Sequence, residues 1–131
     1  MRLLLDTHIW LWSQADPGRL SAAAARALES PANELWLSPI SVWELILLAQ
    51  AGRVRLRKEP IAWVEEALAI QPLREATLTR EVAIESRRLA LPHQDPADRF
   101  LAATAVVYDL RLVTADERLL DGQGFATLDS R

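Results

Sequence analysis

The sequence predicts an α/β domain with three layers, α/β/α, around a central and mainly parallel sheet. Two observations carry that expectation. Leu3, Leu4 and Leu5 form an unbroken apolar run, the pattern of a strand covered on both faces rather than one. Further along, short apolar segments alternate with helical ones, which implies parallel pairing through helical crossovers. With 131 residues, half of them hydrophobic, one domain spanning 1–131 can bury a core of its own.

The elements follow in order. The first strand stops at Asp6, and residues 9–12 suit a short helical turn that Asp16-Pro17-Gly18 breaks. Residues 21–29 have strong helix propensity, closed by Ser30-Pro31. Residues 34–37 are short and apolar, a second strand. Ser38-Pro39 then opens a helix over 39–51, with serine as N-cap, proline at the first helical position and Gly52 as terminator. Residues 53–58 alternate basic and apolar side chains, as a loop or small ribbon. Residues 60–69 read as a helix, 70–73 as a weak strand and 79–89 as an amphipathic helix halted before Pro92. Asp95-Pro96 opens a helix through Tyr108. The rest reads as a strand at 111–114, a helical turn at 116–120 and a last strand at 125–128.

Four carboxylates draw attention. Asp6 ends the first strand, and ligands of open α/β sheets gather beyond the carboxyl ends of the strands. Alone, it reads first as a turn residue or helix cap. Glu44 shares its helix face with Ile40, Ser41, Leu47 and Leu48, so it should face the protein, where it needs a buried ion pair or a metal ion. If Asp95 is the N-cap, Asp98 falls at the third helical position, on a face continued by Leu101, Ala102 and Ala105; the helix dipole would also favour an acid there. Asp116 follows the strand at 111–114 as Asp6 follows the first, and the two converge if those strands are neighbours. Four acids meeting without cations would repel. They make sense as ligands for a hard divalent cation, Mg²⁺ first and Mn²⁺ next. Two such ions roughly 3.5–4 Å apart can activate water and stabilise the leaving oxygen of a phosphodiester. Thr7 and Thr114 stand beside these acids as local caps or as hydroxyls positioning a ligand.

Composition narrows the field. The formal charge of −3 argues against bulk positive potential as the grip on nucleic acid. Arg53, Arg55, Arg57 and Lys58 form one local basic patch, and Arg87, Arg88 and Arg99 a second; each suits either a solvated surface or a phosphate contact. With no cysteine there is neither a disulfide nor a thiolate metal site. Nothing approaches the ~20 apolar residues of a membrane span, and Leu3 to Leu5 is too short for a signal-peptide core, so a soluble, unsecreted, cytoplasmic protein is expected. The five tryptophans, Trp10, Trp12, Trp36, Trp43 and Trp63, are expected mainly in the core, with some available to a partner.

Leu5-Asp6-Thr7, a helical Glu44, the run from Asp95-Pro96-Ala97-Asp98-Arg99 to Ala105, and Val113-Thr114-Ala115-Asp116 together resemble a PIN domain. More narrowly, they resemble the VapC-type toxins of type II toxin–antitoxin systems. The resemblance spans essentially the whole chain and implies a PIN-like fold and a Mg²⁺- or Mn²⁺-dependent endoribonuclease that leaves a 5′-phosphate and a 3′-hydroxyl. It also implies a VapB-type antitoxin partner, a homodimer and a structured RNA substrate such as tRNA or rRNA. By the same resemblance Asp6, Glu44, Asp98 and Asp116 are the catalytic, metal-holding acids. His8 is then expected to pack near the site, and His93 to be a loop residue. The alternative is a catalytically inert PIN-like interaction module whose acids are caps and ion pairs. Asp6-Thr7-His8 is also similar to the opening of amidohydrolase-type Asp-x-His-x-His motifs. Trp10 occupies the second histidine position there, and His93 is the only other histidine, so the nitrogen ligands are missing.

Overall fold

A computed structural model describes residues 1–131. Five strands, β1 (Arg2–Leu5), β2 (Glu34–Leu37), β3 (Arg74–Glu75), β4 (Arg111–Thr114) and β5 (Ala126–Asp129), form one sheet in the order β3-β2-β1-β4-β5. All four pairings are parallel. Seven helices connect and cover them: α1 (Thr7–Ala15), α2 (Ala22–Glu29), α3 (Pro39–Gln50), α4 (Pro60–Ile70), α5 (Arg80–Arg88), α6 (Pro96–Tyr108) and α7 (Glu117–Leu120).

The leucine run behaves as a central strand must. Leu3, Leu4 and Leu5 are fully buried and alternate between the faces. Leu3 and Leu5 join one apolar cluster with Ile9, Trp10, Leu45 and Trp63, from α1, α3 and α4. Leu4 joins a second with Leu101, Ala102 and Leu112, on the side of α6. A one-sided sheet would not tolerate apolar side chains at both parities. The three-layer expectation therefore holds.

Three boundaries differ from expectation. The first helix fills residues 7–15 rather than 9–12, because the Asp6 carboxylate accepts from the Thr7 N–H at 2.8 Å and the Trp10 N–H reaches Asp6 O at 3.0 Å. The strand expected at 70–73 lies at Arg74–Glu75; α4 continues through Ile70, and pairing with Trp36 and Leu37 defines the strand. The last strand is displaced by one residue, since β4 pairs Thr114 with Asp129. Local apolarity marked these segments, but backbone pairing set their limits.

The chain steps from β1 outward through β2 to β3, then returns to the other side of β1 for β4. Strand order thus reverses between β1 and β4. Their carboxyl ends open the crevice where such sheets bind ligands.

Candidate active site

Leu5 is level with Val113 in the β1–β4 register, so the residues that follow leave the sheet side by side. Thr114 is fully buried and donates its hydroxyl to Asp6 Oδ2 at 2.7 Å. The same hydroxyl accepts the Asp116 N–H at 3.0 Å. One threonine therefore ties together the two acids that end neighbouring strands. Thr7, also buried, donates to Ser41 Oγ at 3.1 Å and links α1 to α3.

Asp98 arrives from α6. The Asp95 carboxylate caps that helix by accepting the Asp98 N–H at 3.0 Å, as expected. The face below, Leu101, Ala102 and Ala105, is buried, and its small side chains let α6 lie close on the sheet. Glu44 comes from α3, half-buried and without a hydrogen bond or ion pair. Asp6, Glu44, Asp98 and Asp116 all line one open cleft of about 390 Å³, flanked by His8, Trp12, Arg53, Asp95 and Arg118. The four expected residues, from four distant segments, are thus brought to one place.

Electrostatics mark them as unequal. Burial pushes the Asp6 carboxyl up to about 6, against the bonds from Thr114 and Thr7, and the Glu44 charge adds to the rise. Burial likewise raises Asp98 to about 7; the His93 bond opposes this, and the charges of Asp6, Asp95 and Asp116 reinforce it. Partial burial also pushes Asp116 up, but Arg118 outweighs it through side chain, backbone N–H and charge, and leaves the carboxyl below its ordinary value.

Two cationic or titratable partners stand here beyond expectation. Arg118 reaches Asp116 Oδ2 at 3.1 Å and Asp98 Oδ2 at 3.5 Å. His93 is more than a loop residue, since its Nε2 lies 2.9 Å from Asp98 Oδ2. Neither carried a spacing signal: Arg118 depends on how the single turn of α7 is set, and His93 on the path of the loop before α6. Arg99 corrects an expectation outright. It is 5 % exposed and donates to the carbonyls of Ser86, Leu89, Leu91 and His93. Those carbonyls satisfy the guanidinium and bind the loop that carries His93, so Arg99 belongs to no surface patch.

The donor set is oxygen-only and carboxylate-rich, which suits Mg²⁺ or Mn²⁺ and not a nitrogen- or sulfur-seeking metal. Asp6 has no cation at ion-pair distance, and Glu44 has no partner at all. No three acidic or histidine side chains are already gathered tightly enough to clasp an ion. Arg118 instead supplies the positive charge between Asp98 and Asp116.

Comparison with known proteins fits this geometry. The PIN domain family model matches residues 3–123. The chain is 40% identical over 120 residues to Ribonuclease VapC22 of Mycobacterium tuberculosis, covering 89% of this chain and 88% of that protein. Among solved structures, VapBC2 from Rickettsia felis bound to a promoter DNA fragment superposes over 100% of both chains with a TM-score of 0.75 at 15% identity. DNA-bound VapBC from Salmonella typhimurium covers 98% of each chain with a TM-score of 0.70 at 19% identity. Those two likenesses speak for the fold, whereas the family match and the mycobacterial relative speak for descent. With its four acids converging at the β1–β4 crevice, the chain belongs to the PIN domain family, in its VapC-type branch.

Proposed function

We propose that this protein is the toxin of a VapBC-type module and a divalent-metal-dependent endoribonuclease acting from the β1–β4 cleft. One observation carries the reading: Asp6, Glu44, Asp98 and Asp116, far apart in sequence, line the same cleft, and Asp6 and Asp98 are buried there at a cost that a cation would relieve. The relative's name, a ribonuclease, supports the substrate class. Structured RNA such as tRNA or rRNA remains the expected target. By the same relationship a VapB-type antitoxin is the proposed partner and a homodimer the proposed assembly. Exposed Trp43 and Leu47 on α3 and Ile61 and Ile70 on α4 supply apolar surface for such contacts.

Asp6, Glu44, Asp98 and Asp116 would hold the metal, Mg²⁺ or Mn²⁺. What such an ion supplies when bound is a more acidic water and charge compensation at the departing oxygen of the phosphodiester. The chain's own residues prepare the place. Thr114 fixes the Asp6 carboxylate, His93 orients Asp98, and the Asp95 cap holds the first turn of α6 that presents it. Arg118, exposed on one side of the cleft, can accompany a phosphate oxygen as readily as the two aspartates it now bridges. Attack by water yields a 5′-phosphate and a 3′-hydroxyl, and no side-chain nucleophile is required.

Asp98→Asn preserves size and can still meet His93, so the fold should persist. Its metal-dependent cleavage of RNA should fall by at least about 100-fold, read as product on a gel against the circular dichroism of the folded protein. Full activity in a folded Asp98→Asn protein would remove Asp98 from the machinery and favour the inert interaction module.

A further inference from the structure

The acidic cleft continues past His8, Trp12 and Arg53 into a second hollow of about 460 Å³, which shares those three residues and adds Arg19 and Arg55. Its chemistry is opposite to its neighbour's. Arg19, Arg53 and Arg55 are exposed and form no ion pair. Lys58, in the same basic run, is neutralised by Glu66. Asp16 is the only acid in the wall. Gly52, at φ +74, ends α3 and lets the Arg53 N–H close on Leu48 O at 2.9 Å, which sets Arg53 at the junction of the hollows. Flat groups stand in series beside these charges: His8 lies 5.6 Å from the half-buried Trp12 ring, and the Arg19 guanidinium lies 4.6 Å above it.

Unpaired cations beside an aromatic ring are what an unpaired nucleic-acid strand requires, since arginines take phosphates and rings take base faces. A duplex conceals its base faces and would leave the Trp12 platform idle. In a chain of net charge −3, this local arrangement supplies a grip that bulk charge does not.

We propose that the hollow formed by Trp12, Arg19, Arg53 and Arg55 seats an unpaired RNA segment adjoining the scissile phosphodiester, with Arg53 and Arg55 on phosphates and a base on the stack that the Arg19 guanidinium forms with Trp12. The inference rests on the nuclease reading for its direction, from groove into cleft.

The test is fluorescence anisotropy of a labelled, mixed-sequence 12-nucleotide single-stranded RNA, in chelator so that nothing is cut. Arg53→Glu/Arg55→Glu should bind at least about 10-fold more weakly than wild type. Its slope of log affinity against log salt should be shallower by about 1.4, the loss of two phosphate contacts. Arg26→Glu/Arg111→Glu makes the same change of net charge at residues lining neither hollow, and should bind within about 3-fold of wild type. Trp12→Leu should lose at least about 5-fold. Melting curves confirm folding, and Arg53→Ala/Arg55→Ala gives the same direction with no reversed charge. Equal affinity in wild type and Arg53→Glu/Arg55→Glu overturns the proposal, as does an equal loss in the charge-matched control. Tighter binding of a fully paired RNA, or equal binding of a 12-residue oligoglutamate, also overturns it. In a parallel incubation with Mg²⁺ or Mn²⁺ in place of chelator, cleavage by wild type with no effect of the arginines on binding sinks the groove alone. Arginine-dependent binding without any cleavage sinks the nuclease reading and supports the groove.

Discussion

Asp6 is a carboxyl held where its charge is unwelcome. Its folded value of about 6 lies above the ordinary 3.8, so the folded state binds a proton more tightly than the unfolded state does. Stability should therefore be unaffected by this group below pH 4, fall as pH rises through 4 to 6, and stay reduced above. Asp98, raised to about 7, extends the decline by a further pH unit. Asp116 runs the other way, since its lowered value favours folding above its unfolded titration; it is exposed enough that solvent screens the effect. The expected outcome is a metal-free protein that melts at a lower temperature at pH 8 than at pH 5. Asp6 alone accounts for roughly 1.4 kcal/mol of that difference, since the earlier part of its decline is already complete at pH 5. Asp6→Asn should flatten the pH profile and raise the metal-free melting temperature at pH 8, as measured by differential scanning fluorimetry.

At the scale of elements, α6 is placed by its small face and by one arginine. Ala102 and Ala105 allow close approach to the sheet, and Arg99 fastens the preceding loop by donating to four carbonyls. A methionine at 99 would fill the space but leave those carbonyls to find water. Arg99→Met should cost roughly 3 kcal/mol in chemical denaturation. It should also loosen His93 from Asp98, so cleavage falls more than the folded fraction alone explains. The boundaries of α1 and β3 teach the same lesson from the other side. Asp6 caps a longer helix than its apolar residues indicated, and pairing with β2 moved the strand to residues with no apolar pattern, Arg74 and Glu75.

On the scale of the whole molecule, the cleft exists only while α3, α6 and the ends of β1 and β4 stay together. Anything that binds there must stabilise the entire fold. Added Mg²⁺ or Mn²⁺ should stabilise the fold by about 2.7 kcal/mol at a concentration 100-fold above the dissociation constant, read as a higher melting temperature, and chelator should reverse it. No shift at millimolar metal would speak for the interaction module. No helix is long and apolar enough to cross a membrane. The tryptophans divide by position: Trp10 and Trp63 are core, Trp12 and Trp36 are half-buried, and Trp43 is 52% exposed.

Apolar periodicity, caps and breakers lie within a few residues of one another, so the sequence alone determined the α/β/α class, most helix starts and the four acids that could matter. Serine before Pro39 and aspartate before Pro96 announced their helices, and three successive leucines announced a strand hidden on both sides. Only the tertiary structure decided that Arg99 turns inward, that Arg118 and His93 meet Asp98, and that Arg53 joins an acidic cleft to a basic groove. These are contacts between side chains whose directions are set by how separate elements pack, and no spacing along the chain encodes that packing.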